Sequence, residues 1–254
     1  CITGLDLVEQ MIRVAAGEAL TIRQEDVKRD GWAMECRINA EDPFRNFLPS
    51  TGRLVRFNPP EQSMWQGDTA HLHGVRVDTG VYEGGEIPMF YDSMIAKLIV
   101  HGKDRNDAIA KMREALNGFV IRGVQSNIPF QAALLAHPKF VTGEFNTGFI
   151  AEHYGQGFRA EDVPHDDPDF LVALAAFVRR KSRERAAGIS GQLPGYGVKV
   201  GHDYRVITLD GQGGQHTYSA VHVDEVTGQL GAAVVTVGDK RYAIQSPSRL
   251  NDIC

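Results

Sequence analysis

The amino-acid pattern changes near residue 158, and this change constrains the fold more than any other feature of the sequence. Before it, helical and strand-like segments alternate along the chain. Residues 159–169 are acidic and contain two prolines, which is typical of a linker. After it come one long helical segment and then strand-like segments only. A chain of 254 residues is long enough for two modest domains. We therefore predict two, at 1–158 and 165–254.

The composition is that of a globular protein with an ordinary core. Hydrophobic residues make up 43% and charged residues 23% of the chain, so disorder is not expected. The formal net charge of −5 argues against a nucleic-acid-binding protein. No apolar run approaches the ~20 residues that span a bilayer. The three cysteines include no Cys-x-x-Cys pair, which favours a reducing compartment and disfavours a cysteine-based zinc site.

The ends of the sequence suggest a piece of a longer protein. The chain opens at Cys1 rather than at a methionine, shows no signal peptide, and stops at Cys254 soon after a strand-like segment. We therefore expect further sequence on both sides.

Residues 1–158 have the pattern of an α+β domain. Apolar residues at helical spacing predict helices over 6–16, after Asp104, and over 128–136. Alternation with a period of two predicts strands over 32–41, 53–57, 74–77 and 94–101. Several Gly- and Pro-rich stretches between these strands predict loops and hairpins.

The strand over residues 32–41 carries the most informative candidate site. One face is apolar, whereas the other presents Glu35, Arg37, Asn39 and Glu41 in succession. An arginine fork is always charged and suits a carboxylate, a bicarbonate or an enolate-type oxygen. The alternative interpretation, favoured by the pattern alone, is a solvated sheet face with alternating charges.

Two further segments could complete a site around Arg37. The first contains Phe44, Phe47 and Leu48, which form either an apolar wall beside the arginine or a small satellite core. In the second, Asp92 either pairs with Arg37 across the sheet or serves as an ordinary turn residue before a strand.

Two other motifs have competing interpretations. His71 and His73 are spaced to share a strand face and bind a metal, but no third ligand is near in sequence, and loop histidines are the more common case. The basic run 179–185 is either a partner or nucleic-acid surface or the solvated end of a helix, where positive charge is favourable.

Residues 165–254 predict a buried helix followed by a β meander. Asp167 is a suitable helix cap, and Pro168 suits the first helical position. Strands are predicted over 204–209, 217–223, 232–237 and 241–245, with hairpin-like turns between them. The first half of the helix is apolar on most sides, so we expect the strands to curl around it as a partial antiparallel β-barrel.

Four motifs carry a resemblance to biotin-dependent acyl-CoA carboxylases, at their propionyl-CoA carboxylase α-subunit branch. The motifs are Gly31-Trp32-Ala33-Met34-Glu35-Cys36-Arg37, Ala40-Glu41-Asp42-Pro43, Phe47-Leu48-Pro49-Ser50 and Tyr91-Asp92-Ser93-Met94. The resemblance covers residues 1–158 and implies the C-terminal subdomain of a biotin carboxylase. Residues 165–254 are similar in layout to the BT domain that docks on the carboxyltransferase β subunit. That barrel has more strands than this chain supplies, so we expect it to be cut at Cys254.

The resemblance also implies a role for individual residues. Arg37 matches the catalytic arginine that holds bicarbonate and the ureido oxygen of biotin, and Phe47 matches an aromatic residue of the biotin pocket. Asp92 and Glu35 would support Arg37. Arg76 would lie at a subunit interface. No metal ligand is implied within these residues.

The family's other parts set the expected limits of this chain. Its ATP and Mg sites lie before the segment matching Cys1, and its biotin attachment site lies after the segment matching Cys254. The cofactors of the whole protein would be biotin, ATP and Mg. Its partners would be the β subunit, the biotin carboxyl carrier domain and bicarbonate. We expect these 254 residues alone to be inactive.

Two alternatives remain at this point. Acetyl-CoA and 3-methylcrotonyl-CoA carboxylases share the strand that carries Arg37, so the acyl substrate is open. A non-catalytic interaction module, with the second half binding a partner, is the other. The resemblance implies a location in the bacterial cytoplasm or the mitochondrial matrix.

Overall fold

The computed structural model describes residues 2–63, 74–165, 167–191, 193, 195–197, 199–209, 216–225 and 232–246. The chain forms two compact units, Cys1–Pro164 and His165–Cys254. In the described residues, no helix is long and apolar enough to cross a membrane. The predicted histidine pair at 71 and 73 and the predicted turns at 210–211 and 227–228 lie outside the described residues.

The first unit combines helices with short antiparallel strands. Its helices are α1 (Leu7–Ala15), α2 (Arg105–Asn117), α3 (Ile128–Ala136), α4 (Pro138–Thr142) and α5 (Phe149–Tyr154). Its strands are β1 (Trp32–Asn39), β2 (Glu41–Asp42), β3 (Leu48–Pro49), β4 (Gly52–Arg53), β5 (Arg56–Asn58), β6 (Gly74–Thr79), β7 (Glu86–Ile87), β8 (Met94–Gly102) and β9 (Val120–Arg122).

A three-stranded antiparallel sheet in the order β1-β8-β6 is the centre of this unit. Helix α2 begins at the Asp104 cap, whose side chain accepts a hydrogen bond from the Asp107 amide, and it packs on one face of the sheet. The fully buried residues between them include Ile38, Leu98, Val100, Met112 and Leu116. The apolar face predicted for β1 is therefore the core face, and its polar face points away from α2.

The predicted strand over 53–57 is two strands, because the chain turns at Leu54. Strand β4 pairs with β7, and β5 pairs with β9. Leu54 is fully buried between the two ladders. Gly123 packs against this turn with φ +100°, and a Cβ there would lie 2.1 Å from the Arg53 carbonyl oxygen. Only glycine fits this close approach without displacement.

Aromatic side chains surround the guanidinium of Arg105 at the start of α2. Its Cζ atom lies 5.6 Å from the ring centre of Trp32, 5.0 Å from that of Phe140 and 5.6 Å from that of Phe145. It also donates a hydrogen bond to the Phe140 carbonyl oxygen. Cations over aromatic faces are attracted electrostatically. This cluster explains why Trp32, predicted to lie on the apolar face of β1, remains 43% exposed.

The second unit is a helix on an open sheet. Helix α6 (Pro168–Ala187) packs on one face of β10 (Asp203–Leu209), β11 (His216–Glu225), β12 (Ala232–Val237) and β13 (Lys240–Gln245), paired in that order. Ala173, Phe177, Val223 and Val235 form the centre of its core. The described strands do not close into a barrel. They form an open antiparallel sheet against one face of α6. The ring of Phe170 meets that of Tyr242 on β13 with centroids 5.8 Å apart, whereas Leu171 is 52% exposed.

The charged side chains of Asp167 and Arg180 make contacts that the sequence did not predict. Asp167 stands at the N-cap of α6, but its side chain makes no cap hydrogen bond. Its carboxylate instead accepts from Lys240 at 3.0 Å and from the Tyr242 hydroxyl at 2.8 Å. These bonds hold the pKa of Asp167 below its usual range. Arg180, within the basic run predicted to be solvated, is 4% exposed and donates to the Gly201 carbonyl oxygen.

Candidate functional site

Arg37 projects from the polar face of β1, as the alternation predicts. Its Nε atom lies 3.4 Å from Oε1 of Glu35, two residues earlier on the same face. The side chains are 66% and 43% exposed. Exposed ion pairs of this kind contribute only about 0–1 kcal/mol. The guanidinium therefore keeps donors available for an anion from solution.

The backbone of Arg37 is held by α3, which covers the outer edge of the sheet at β1. Asn127 accepts from the Asn39 amide at 3.0 Å and donates to the Arg37 carbonyl oxygen at 3.0 Å. Gln131, one helical turn later, donates to the same carbonyl oxygen. An edge strand exposes unpaired amide and carbonyl groups. The side chains of Asn127 and Gln131 bind these groups on β1, as a neighbouring strand otherwise would.

A second cation lies beside Arg37 on the sheet. Lys97 of β8 is directly opposite Arg37 in the strand register, and Asp78 of β6 is directly opposite Lys97. Residues opposite each other in an antiparallel pair share a face. The two cations share this face with the carboxylates of Glu35 and Asp78, so the face carries charges of both signs.

A cavity of about 530 Å³ lies at the outer edge of β1 and is lined by residues from both faces of that strand. Its walls combine these β1 residues with apolar residues from α3, α4, α5 and the segment after β2. The lining residues are Met34, Glu35, Cys36, Arg37, Asn39, Glu41, Phe47, Asn127, Phe130, Gln131, Leu134, Leu135, Phe140 and Ile150. Such a cavity offers a planar polar ligand one apolar wall and one hydrogen-bonding wall.

Phe47 contributes to the apolar wall because the chain turns sharply before it. Asp42 caps a short turn by accepting from the Phe44 amide, and Asn46 and Phe47 then adopt left-handed φ values of 54° and 58°. The Phe47 ring meets Phe130 edge to face, with ring centres 4.9 Å apart. Phe47 therefore has both of the positions considered for it. It packs on the small apolar cluster around Phe130, and it also lines the cavity that Arg37 lines.

The remaining sequence candidates take other positions. Asp92 precedes β8, and its carboxylate accepts from the Met94 amide at 3.1 Å. The suggested Asp92–Arg37 pair is not formed; Arg37 pairs with Glu35, and Asp92 serves as a turn residue. Arg76 lies on β6 and donates to both carboxylate oxygens of Asp78, at 2.7 and 2.8 Å, which raises the pKa of Arg76.

Two other groups that line the cavity, the Glu41 carboxylate and the Cys36 thiol, are hydrogen-bonded or buried. Glu41 accepts from the Ser93 hydroxyl at 2.8 Å and from the Asn39 side chain at 3.2 Å. Burial raises the pKa of the Cys36 thiol to about 12, so this sulfur is protonated at neutral pH and is a poor nucleophile.

The sequence alone did not identify Asn127 or Gln131. Asn127 is 88 and 90 residues from the groups it binds on β1, so no local pattern connects them. A polar residue directly before an Ile-Pro helix start was the available signal, but it indicates only a helix boundary.

Family comparison agrees with this division of the chain. Residues 35–152 match the model of the biotin carboxylase C-terminal domain, and residues 171–254 match the model of the propionyl-coenzyme A carboxylase BT domain. The first unit also resembles the biotin carboxylase domain of a thermophilic 2-oxoglutarate carboxylase bound to bicarbonate. The TM-score is 0.54 at 41% identity, over 60% of this chain and 32% of that one.

The chain therefore belongs to the family of biotin-dependent carboxylase α subunits. It is 48% identical over 231 residues to the propionyl-CoA carboxylase alpha chain of Ruegeria pomeroyi, which covers 87% of this chain and 34% of that protein. It is also 50% identical over 149 residues to biotin carboxylase 1 of Bacillus subtilis, over 59% of this chain and 31% of that one. The chain thus spans about a third of the length of these relatives.

Proposed function

We propose that the chain is part of the α subunit of a biotin-dependent propionyl-CoA carboxylase, a ligase that forms carbon–carbon bonds. The observation that carries this proposal is the position of Arg37, exposed on β1, with its backbone held by Asn127 and with Phe47 lining the same cavity. The similarity to the propionyl-CoA carboxylase alpha chain of Ruegeria pomeroyi supports this choice of family branch.

In this proposal Arg37 binds the bicarbonate substrate and faces the developing negative charge on the ureido oxygen of biotin. A fixed donor aimed at developing charge stabilises the transition state. Lys97 is a second cation on the same sheet face, and Glu35 orients the guanidinium. Asp92 supports the site through the turn before β8 rather than by direct contact with Arg37.

The cavity fits the ring system of biotin. Phe47 and Phe130 provide apolar contact, and the Asn127 and Gln131 amides lie at the polar wall. When bound, biotin supplies the ring nitrogen that carries the carboxyl group. The residues of this chain bind and orient it. We propose that ATP and Mg are held by the longer part of the subunit that the relatives have beyond the matched third, so these 254 residues alone are inactive.

The second unit is proposed to dock the subunit on its carboxyltransferase β subunit. The match to the BT domain supports this role. A biotin carboxyl carrier domain would be the other protein partner, and Arg76 would lie at an interface between subunits. By its relatives, the complex would work in the bacterial cytoplasm or the mitochondrial matrix.

A chimera tests the role of Arg37. In this chimera, the 254 residues of this chain replace the matching third of the propionyl-CoA carboxylase alpha chain of Ruegeria pomeroyi. Bicarbonate-dependent ATP cleavage in the presence of free biotin is then measured. We expect Arg37→Ala to lower this rate ~10²–10³-fold, as removal of one transition-state donor does. Arg23→Ala is the matched control, because Arg23 is 79% exposed and lies 3.9 Å from its ion-pair partner Glu25.

Equal rates for Arg37→Ala and Arg23→Ala would contradict the assignment of Arg37. A folded chimera that cleaves no ATP in either form would instead contradict the enzymatic proposal and favour a non-catalytic interaction module. The circular dichroism spectrum and unfolding midpoint of each chimera establish that it folds.

The acyl substrate needs a separate experiment. The chimera is mixed in turn with β subunits of propionyl-, acetyl- and 3-methylcrotonyl-CoA carboxylases, and complex formation and acyl-CoA carboxylation are measured. We expect a stable complex and turnover with the propionyl-CoA β subunit. Preferred assembly with either of the other two would assign the chain to that branch.

A further inference from the structure

A cluster of imidazole and carboxylate groups lies at one end of the sheet in the second unit, away from the site around Arg37. His222 and Asp224 are two residues apart on β11, so they share its exposed face, while Val221 and Val223 between and beside them are buried. His202 directly precedes β10, the neighbouring strand. One ligand atom from each of His202, His222 and Asp224 can be chosen so that all three lie within 4.8 Å of one another.

The backbone fixes the ring of His202. The His202 carbonyl oxygen accepts from the Val223 amide at 2.9 Å, and its Nδ1 lies 2.9 Å from the Val223 carbonyl oxygen. A carbonyl can only accept, so Nδ1 must carry the hydrogen. The lone pair of the neutral ring is then on Nε2, which is free to bind a metal.

A carboxylate fixes the ring of His222 in the same way. Asp203 is directly opposite His222 in the β10–β11 register, and its Oδ1 lies 2.6 Å from His222 Nδ1. Nε2 of His222 is 3.0 Å from Oδ1 of Asp224. Metal-binding histidines usually donate their second ring nitrogen to a carboxylate or a backbone carbonyl, which fixes the tautomer and orients the ring. Both histidines of this cluster have such a partner.

We propose that this cluster binds a divalent transition metal of the zinc type, through Nε2 of His202, Nε2 of His222 and the carboxylate of Asp224. Two imidazoles and one carboxylate form a common three-residue ligand set for Zn²⁺, with water completing the coordination. Asp203 and the Val223 carbonyl are the outer partners. The side chains of His222 and Asp224 are 45% and 55% exposed, so the ion can enter from solvent.

The ring of His222 lies between two carboxylates, with Nδ1 2.6 Å from Asp203 and Nε2 3.0 Å from Asp224. The bound ion would link the residue before β10 to β11, its paired neighbour in the sheet, and would therefore stabilise the second unit.

Zn²⁺ titration of the 254-residue chain against a chromophoric chelator tests the proposal. We expect His222→Gln and His202→Gln each to remove one saturable Zn²⁺ site of the wild-type chain. Asp203→Asn should weaken that site ~10–100-fold, as loss of an outer partner does. His216→Gln is the matched control, because His216 is also an exposed histidine of β11 but is outside the cluster.

A second measurement does not depend on the folding of the variants. In the wild-type chain, Zn²⁺ should shift the ring proton resonances of His202 and His222 and leave those of His216 unchanged. Titrations that are the same for the wild type and both cluster variants, or unchanged His202 and His222 resonances at saturating Zn²⁺, would overturn the proposal.

Discussion

At the scale of single residues, the carbonyl of Arg37 accepts hydrogen bonds from Asn127 and Gln131, whereas its guanidinium makes one exposed ion pair. Alternation along β1 was sufficient to predict which face Arg37 occupies. It could not predict Asn127, because the hydrogen bonds of that side chain span about ninety residues and depend on how α3 docks at the edge of β1. The position of Arg37 on the polar face was thus predictable from the sequence, and the residue that holds its backbone was not.

The substitution Asn127→Ala should destabilise the first unit. The substitution removes the hydrogen bond that the Asn39 amide donates and one of those that the Arg37 carbonyl oxygen accepts. Asn127 is 8% exposed, so water does not readily replace these bonds. An unsatisfied buried polar group costs about 1–3 kcal/mol, which urea unfolding would measure. In the chimera, the same substitution should also raise the bicarbonate concentration needed for half-maximal ATP cleavage.

Asn117→Ala is the control, because Asn117 is exposed in the last turn of α2. A surface change of this kind should stay within about 0.5 kcal/mol of the wild type. Similar unfolding free energies for the two variants would show that the Asn127 side chain does not hold β1.

At the scale of elements, most helices and strands begin and end close to their predicted positions, because cap residues and hydrophobic periodicity are local signals. The pairing of β4 with β7 and of β5 with β9 was not predictable, because it depends on one buried turn at Leu54. The one-sided packing of α6 was also missed. The apolar residues of α6 indicate that the helix is buried, but they do not indicate how many strands pack against it.

Gly123→Ala should destabilise the first unit more than Gly17→Ala. Both glycines have left-handed backbones, with φ values of +100° and +89°, which cost an alanine roughly 1–2 kcal/mol. A Cβ at Gly123 would also meet backbone atoms of the β4–β5 turn, whereas nothing lies within 4 Å of one at Gly17. Unfolding free energies from urea titrations give the difference. Equal losses would mean that the turn moves aside freely.

Asp167→Asn should destabilise the second unit at neutral pH, because it removes the bonds from Lys240 and Tyr242 that join the start of α6 to β13. The folded-state pKa of Asp167 is lowered, so its stabilising contribution is present above the usual aspartate pKa of 3.8 and is lost as the pH falls through the folded value. Thermal unfolding of the wild type and the variant should therefore differ at pH 7 and converge in acid.

Asp239→Asn, in the exposed turn before β13, is the matched control for charge removal. It should leave the unfolding midpoint of the second unit close to that of the wild type across the same pH range. A difference between the wild type and Asp167→Asn that persists unchanged in acid would exclude the carboxylate as its origin.

At the scale of the whole molecule, each unit has its own hydrophobic core, one centred on Leu98 and Met112 and the other on Phe177 and Val235. The change of pattern near residue 158 was therefore a useful guide to domain organisation. Of the expected partial barrel, the described residues show an open antiparallel sheet, because closure depends on pairing between edge strands and β10 and β13 do not pair with each other.

The cluster around Arg105 makes the first unit optically distinct. Both tryptophans of the chain, Trp32 and Trp65, precede residue 165 in the sequence, and Trp32 has a guanidinium 5.6 Å from its ring centre. Loss of this environment on unfolding should change the tryptophan emission, while circular dichroism reports both units. In urea, Asp167→Asn should therefore shift the dichroism transition and leave the emission midpoint unchanged. A single variant would then reveal whether the two units melt as one cooperative body or as two.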